Sequence, residues 1–176
     1  PVYTLGVRAT TEHILTPPAS VGADLVRVDR GGDVTYHGPG QLVGYPILTL
    51  PGKRGAATGM ADTVAYVASV EQLLIDALAE LGVRNAGRLR RYPGVWLDVD
   101  TETPRKIAAI GVRLSRGRSM HGFALNVSPD LTMFDHIVPC GIRDRGVTSM
   151  AALLGDAAPT MDEVVERVVA RTSEAF

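Results

Sequence analysis

The stretch that decides the fold covers residues 30–46 and reads RGGDVTYHGPGQLVGYP. Residues 25–29 alternate apolar and polar side chains, and residues 41–50 form a longer apolar and β-branched run, so a strand is predicted on each side of the loop. The five glycines of the stretch allow left-handed backbone or close contact between the main chain and a ligand. A single Gly-Gly pair is typical of an ordinary turn, whereas a block of this length favours a ligand-binding loop.

Three further strands are predicted in the middle of the chain, at residues 94–98, 107–114 and 120–127. Arg116 and Gly117 separate the last two, which predicts a hairpin. Strands dominate the middle of the chain and helices its ends, without a repeated βαβ alternation. The pattern therefore predicts the α+β class, with a mixed or antiparallel sheet packed by helices.

Helices are predicted at residues 61–81, at residues 148–154 and from Thr160 onward. Thr160 and Glu163 match a capping box, which predicts the start of the last helix. The first helix is predicted to end at Gly82 and to bury Val64, Val67, Val70, Leu74, Leu78 and Leu81, which recur every three or four residues. The last helix is predicted to have an apolar face formed by Val164, Val165, Val168 and Val169.

The composition predicts one domain over residues 1–176, because a chain with 45% apolar residues can bury one sizeable core and has no linker-like segment. The net charge is −1, and the sequence has neither an apolar run that would span a bilayer nor an amino-terminal signal, so a soluble cytoplasmic protein is expected. One cysteine cannot form an internal disulfide, and the four histidines show no zinc-type spacing with it, so no metal site is expected.

Cys140 and Lys106 have the chemistry for catalysis. Cys140 lies between Pro139 and Gly141, where glycine leaves the thiol accessible, although a lone cysteine is more often a small buried apolar residue. Only the thiolate attacks a substrate, and an ordinary thiol pKa of about 8.5 leaves the group mostly protonated at neutral pH, so a nearby cation is needed. Lys106 begins an otherwise apolar strand, and the residues alone fit either a solvated strand end or a buried cation.

Three blocks of the chain resemble the octanoyltransferases of lipoate biosynthesis, which belong to the biotin/lipoate protein ligase superfamily. They are residues 30–46, the lysine block at 106–111 that continues into 121–126, and the cysteine block at 137–142. The first two also occur in looser form in biotin and lipoate ligases, whereas the cysteine block is specific. The resemblance implies a biotin/lipoate ligase-like, class II synthetase-like domain. A helix and a strand precede this region in the family, so the sequence is expected to be a fragment that lacks them.

The resemblance also implies that Cys140 and Lys106 form a catalytic dyad, in which the lysine lowers the thiol pKa and shuttles protons. Cys140 takes the octanoyl group from octanoyl-acyl carrier protein as a thioester, and a lysine of a lipoyl domain then accepts it as an amide. This reaction is the first step of endogenous protein lipoylation. The implied acceptors are the lipoyl domains of 2-oxoacid dehydrogenases and the glycine cleavage H protein. Neither ATP nor a cofactor or metal is required.

The acyl-substrate contacts of the family fall on three segments of this chain, where alanines and glycines leave room for an apolar octanoyl chain. The corresponding residues are Arg30, Gly31, Gly32, Asp33, Val34, Thr35, Tyr36, His37, Ala109, Ile110, Gly111, Gly122, Phe123 and Ala124. His37 fits two roles equally well: a structural histidine that donates to a backbone carbonyl, or a polar group near the thioester.

A basic run at residues 84–118 carries nine lysines and arginines against three acidic residues. Such a run is usually a solvated surface, but it also suits the acidic acyl carrier protein. Nucleic acid binding is disfavoured, because aromatic residues make up only 5% of the chain and do not interleave the arginines. Two other functions stay open: an ATP-dependent lipoate or biotin ligase, which needs no cysteine, and a non-catalytic module that binds a carrier protein.

Overall fold

The structure is a computed structural model that describes residues 1–52, 61–141 and 145–176, and of Cys140 it describes only the backbone. Its strands are β1 (Val2–Leu5), β2 (Asp24–Arg27), β3 (Val34–His37), β4 (Gln41–Gly44), β5 (Gly87–Leu89), β6 (Tyr92–Leu97), β7 (Arg105–Ser115), β8 (Arg118–Asn126) and β9 (Gly146–Val147). Its α-helices are α1 (Thr63–Glu80), α2 (Met150–Leu154) and α3 (Met161–Ala175), and short 3₁₀ turns join several of these elements.

The strands form two sheets. The smaller sheet has the order β2–β1–β3, in which β1 is parallel to β2 and antiparallel to β3. The larger sheet has the antiparallel order β4–β8–β7–β6–β5, and β9 pairs in parallel with β7. Apolar residues of α1 and α3 form the main core with the larger sheet. The predicted α+β class with a mixed sheet packed by helices is therefore confirmed.

The predicted hairpin is confirmed as β7 and β8. Their register is continuous from the pair Ala108 and Leu125 to the pair Ser115 and Arg118. The two-residue loop between them has positive φ at both Arg116 (52°) and Gly117 (74°), the geometry of a type I′ turn. This turn matches the right-handed twist of the strands, and it therefore sets the register in which the two strands face each other.

Helix α1 starts two residues later than predicted, because the side chain of Asp62 caps its first turn by accepting from the amides of Val64 and Ala65. Val64 is 79% exposed, so its predicted burial is wrong. At 100° per residue it lies about 120° around the helix from Val70, beyond the buried stripe. The residues that α1 buries against the sheet include Tyr66, Val70, Leu73, Leu74, Ala77 and Leu78.

The predicted strand at residues 41–50 is too long. Strand β4 ends at Gly44, and the chain pairs again only through an isolated bridge between Thr49 and Arg118. Pro46 lies between the two and has no N–H to donate to a sheet, which accounts for the interruption. The predicted half-burial of residues 25–29 is also wrong, since every residue of β2 is exposed at the edge of the smaller sheet.

The capping box of α3 is confirmed, because Thr160 and Glu163 exchange side-chain and backbone hydrogen bonds. Val164 and Val168 are buried, whereas Val165 and Val169 are 36% and 58% exposed, so the predicted apolar face is narrower than four valines. Helix α2 begins after its cap, Ser149, rather than at residue 148. Among the described residues, no helix is both long enough and apolar enough to cross a bilayer.

Candidate active site

A pocket lies between the two sheets, over small residues of β7 and β8. Ala109 pairs with Ala124 and Gly111 with Gly122, so each pair shares a face of the larger sheet. The space within the pocket is about 450 Å³, part of which is open solvent. This main pocket is lined by Arg30, Gly31, Gly32, Asp33, Thr35, His37, Val43, Tyr45, Ala109, Ile110, Gly111, His121, Gly122, Phe123 and Ala124.

Lys106 reaches the pocket face of the sheet because β7 contains a bulge. Val95 of β6 pairs with Ala108, but the next residue, Trp96, pairs with Lys106, so β7 has one extra residue at this point. In a regular strand Lys106 would share the core-facing side of Ala108, since residues two apart point to the same face. The extra residue places it on the side of Ala109 instead, away from the apolar core.

A smaller inner cavity adjoins the main pocket on the side of Lys106 and the cysteine turn. Thr35, Ala109 and Ala124 line both spaces, and Lys106 and Pro139 line only the inner one. Lys106 is 8% exposed, and its Nζ lies 4.6 Å from the centre of the Trp96 ring, a cation–π contact. Of the two environments that the sequence allowed for this lysine, the buried one is observed.

The glycine loop covers the main pocket and touches β7 directly. The amide of Gly31 donates to the carbonyl of Val112 at 3.0 Å, and a Cβ on Gly31 would lie 2.9 Å from that same oxygen. A Cβ on Gly111 would likewise lie 2.9 Å from the carbonyl oxygen of Gly31. Because only glycine lets two backbones approach so closely, Gly31 and Gly111 are required for the contact between loop and strand.

Arg30 anchors the start of this loop to the smaller sheet. Its guanidinium donates to the carbonyl and the hydroxyl of Thr4, at 2.7 and 2.8 Å, and to the carbonyl of Gly31 at 3.1 Å. The residue is 9% exposed, and its aliphatic stem packs against Gly111. Arg30 therefore holds the loop over the pocket through several directed hydrogen bonds, which a lysine would not reproduce.

His37 lies in the main pocket and belongs to a side-chain network. Gln41 Nε2 donates to the carbonyl of Tyr36 at 3.1 Å and to Asn126 Oδ1 at 2.9 Å. Gln41 Oε1 is therefore the acceptor for His37 Nδ1, which lies 3.2 Å away, so the network assigns the proton to Nδ1. His37 therefore donates to a side chain and not to the backbone carbonyl of the structural role, and its role near a thioester stays a prediction.

Acid is expected to destabilise the fold partly through His37. Burial lowers the pKa of His37 from its ordinary value, an effect that the Gln41 hydrogen bond opposes and the nearby Arg30 reinforces. The unfolded chain therefore binds a proton at a higher pH than the folded chain, so the free energy of unfolding should fall as pH drops below about 6.5. The loss between about pH 7 and pH 5, measured by chemical denaturation, should be smaller in His37→Gln, and an equal loss in both proteins would contradict this assignment.

The cysteine lies in a 3₁₀ turn, Pro139–Gly141, that is fastened to the amino-terminal part of the chain. The amide of Val138 donates to the carbonyl of His13 at 2.8 Å, and the amide of Leu15 donates to the carbonyl of His136 at 2.9 Å. Backbone hydrogen bonds therefore hold the segment that precedes the turn next to the smaller sheet.

The glycine loop and the cysteine turn meet at a histidine–aspartate pair. His13 Nδ1 lies 2.7 Å from Asp33 Oδ2. Gly141 has a φ of 70°, and a Cβ there would lie 2.8 Å from the same Asp33 oxygen. The predicted nucleophile is Cys140, whose side chain lies outside the described part of the structure, as do residues 142–144.

The structure brings together most of the residues that the sequence assigned to substrate contact. All of them line the main pocket except Val34 and Tyr36, which are 0% and 2% exposed and pack in the core of the smaller sheet. Strand β3 alternates, so these two side chains point away from Thr35 and His37. Contact with substrate stays a prediction, and the structure supports it only for the assigned residues that line the main pocket.

Sequence reasoning missed three residues of the pocket: Val43, Tyr45 and His121. Val43 pairs with Ala124 across β4 and β8, which places it beside the small residues of the pocket floor. His121 directly precedes the predicted Gly122, and a lone histidine among apolar strand residues was the available signal. Its placement depends on a positive φ of 58°, which strand periodicity does not predict.

The basic run at 84–118 does not form one face around the site. Lys106 is buried, and Arg88 is bonded to Glu71 of α1 and Arg105 to Asp98. Exposed arginines of this run include Arg90, Arg91, Arg116 and Arg118, at the β5–β6 and β7–β8 turns. The register places both turns at the end of the sheet away from Lys106, so the run gives no support for a docking face at the cysteine turn.

Known proteins resemble this chain over nearly its whole length. The family model of the lipoyl protein ligase A/B catalytic domain matches residues 1–173. The chain belongs to this family. The octanoyltransferase of Salinispora arenicola is 53% identical to it over 169 residues, which cover 94% of this chain and 74% of the relative. The octanoyltransferase of Flavobacterium johnsoniae is 45% identical over 178 aligned positions, which cover 99% of this chain and 74% of the relative.

This lipoyl protein ligase A/B catalytic domain also shares its fold with solved structures. The bipartite lipoate protein ligase of Thermoplasma acidophilum superimposes with a TM-score of 0.76 at 19% identity, over 99% of this chain and 67% of that one. The biotin protein ligase of Aquifex aeolicus superimposes with a TM-score of 0.55 at 20% identity, over 98% of this chain and 66% of that one. The predicted biotin/lipoate ligase-like fold is therefore confirmed.

Proposed function

We propose that this chain is an octanoyltransferase that moves an octanoyl group from octanoyl-acyl carrier protein to a lysine of a lipoyl domain, through a thioester on Cys140. Residues 1–176 provide the catalytic domain, and the acceptors are lipoyl domains of 2-oxoacid dehydrogenases and the glycine cleavage H protein. The names of relatives at 45–53% identity support the reaction type. The position of Lys106 supports the mechanism.

The observation that carries this proposal is that a buried lysine lies next to an apolar pocket. Lys106 lines the inner cavity together with Pro139, which directly precedes Cys140. The inner cavity shares Thr35, Ala109 and Ala124 with the main pocket, whose floor is formed by small residues. A cation beside the cysteine turn favours the thiolate, and the apolar pocket next to it suits an unbranched apolar chain.

In the first step the Cys140 thiolate attacks the carbonyl carbon of the donor thioester. The bond from that carbon to the carrier sulfur breaks, and the carrier thiolate leaves with a proton from the Lys106 ammonium. In the second step the amine of the acceptor lysine attacks the Cys140 thioester. The neutral Lys106 takes a proton from the attacking nitrogen, and the Cys140 thiolate leaves as the amide forms, which restores the starting charges.

This balance explains why neither ATP nor a cofactor has a role in the proposal. Each step exchanges one acyl bond for another, and the conversion of a thioester to an amide is downhill. Lipoate and biotin ligases share the fold. The cysteine turn distinguishes the proposed reaction from theirs, because adenylation of a free acid needs no thiol.

The test is the intact mass of the protein after incubation with octanoyl-acyl carrier protein. We expect one octanoyl group on the wild type, released by neutral hydroxylamine, and none on Cys140→Ala. Addition of a lipoyl domain should then move the group to that domain. An octanoyl adduct that persists in Cys140→Ala, or transfer that requires ATP and free octanoate, would refute the cysteine mechanism.

A further inference from the structure

The main pocket has a reactive end and a far end, which are set by the register of β7 and β8. The inner cavity with Lys106 adjoins the pocket at the level of Ala109 and Ala124. Along β7 the pocket then passes Gly111 and reaches the level of Val112, which pairs with His121. His121 therefore lies at the end of the pocket away from Lys106.

His121 is held at this end by unusual backbone geometry and by a carboxylate. It has a φ of 58° within a strand, so its side chain does not follow the core-facing direction of its partner Val112. Its Nε2 lies 2.6 Å from Asp29 Oδ1, and Asp29 also forms an ion pair with Arg113. The ring of Tyr45 packs edge-on against the imidazole, with centroids 5.8 Å apart.

His121 also separates the main pocket from a second space. An outer groove is lined by Val7, Arg27, Val28, Asp29 and His121, and His121 is the residue that this groove shares with the main pocket. Beside it, the bond from Gly31 to Val112 joins loop and strand, so the covering loop meets the sheet at the same level. The imidazole is thus a partition between the main pocket and a surface groove.

The distance from the inner cavity to this partition matches an eight-carbon chain. The three residues from Ala109 to Val112 span about 10 Å at 3.3 Å per residue. An extended octanoyl chain has seven C–C bonds, and bonds of about 1.5 Å advance a zigzag chain by about 1.25 Å each, or about 9 Å in total. A chain two or four carbons longer would therefore meet the imidazole.

We propose that His121, held by Asp29, is a specificity-determining residue that limits the length of the acyl chain. A longer chain would have to push apolar carbon against the imidazole and its carboxylate partner, which costs the hydrogen bond between them. A shorter chain leaves apolar pocket surface uncovered, and each missing methylene weakens binding about fourfold. This inference rests on the proposed function, since it assumes that an acyl chain occupies the main pocket.

The direct test is His121→Gly, assayed with octanoyl, decanoyl and dodecanoyl carrier-protein thioesters. Glycine adopts a positive φ without strain, so the substitution opens the partition with little backbone cost. The ratio of kcat/KM for dodecanoyl over octanoyl transfer is expected to rise at least about tenfold, because four more methylenes gain room and each is worth about fourfold. His121→Asn, which also tolerates left-handed backbone but is shorter than histidine, should give a smaller rise.

Arg116→Gly is the matched control, because Arg116 has a similar φ of 52°, lies in the same hairpin and does not line the pocket. It should leave the chain-length ratio unchanged. An unchanged ratio in a folded His121→Gly or His121→Asn protein, or an equal loss at all three lengths, would overturn the role of His121. Absence of octanoyl transfer by the wild type would instead overturn the proposed function, so the two failures are distinguishable.

Discussion

Replacement of Lys106 by alanine is expected to reduce octanoyl transfer by about 10²- to 10⁴-fold, the usual contribution of a positioned acid–base group. Lys106 is 8% exposed and lines the inner cavity with Pro139, next to the cysteine turn. The alanine variant should also raise the thiol pKa of Cys140. Alkylation by iodoacetamide near neutral pH should then be slower, and its pH profile should shift to higher pH.

The variant Lys106→Arg separates the two roles of the lysine. Arginine keeps a positive charge but does not release a proton at any working pH, so alkylation should stay fast while acyl transfer is lost. A circular dichroism spectrum and a thermal melt establish that both variants fold. If alkylation of Cys140 has the same pH profile in the wild type and in Lys106→Ala, the lysine does not activate the thiol.

Replacement of Ala109 by leucine is expected to lower octanoyl transfer by about two orders of magnitude. Ala109 lines both the main pocket and the inner cavity, so a leucine side chain there would fill space that the acyl chain is proposed to occupy. Exclusion of four methylenes at about 0.8 kcal/mol each accounts for the size of the loss. Transfer should be measured as kcat/KM with octanoyl and with acetyl thioesters, and the acetyl value should change much less.

Ala170→Leu adds the same bulk at an exposed position of α3 and should leave both rates unchanged. Alkylation of Cys140 by iodoacetamide reports on access to the thiol without an acyl chain, and it should stay close to wild type in Ala109→Leu. Equal losses with octanoyl and acetyl donors would show that the acyl chain does not occupy the main pocket.

Local sequence signals predicted the elements that depend on residues close together in the chain. The turn at Arg116 and Gly117 and the capping box of Thr160 and Glu163 each depend on residues within a few positions of one another. The helix predicted at residues 61–81 is observed at Thr63–Glu80 and buries Val70, Leu74 and Leu78 as predicted, whereas Val64 lies beyond the stripe that the sheet covers. Which side of a helix is buried depends on what packs against it.

The sequence by itself determined which residues are available for the proposed chemistry, a lone cysteine before a glycine and a lysine at the start of an apolar strand, and it determined the short hairpin that joins two strands rich in small residues. Only the tertiary structure decided where Lys106 and His121 point. The bulge that moves Lys106 to the pocket face arises from pairing with Trp96, and the position of His121 arises from its contact with Asp29, 92 residues away. Both depend on partners outside the strand itself, and the periodicity of a single strand contains no information about them.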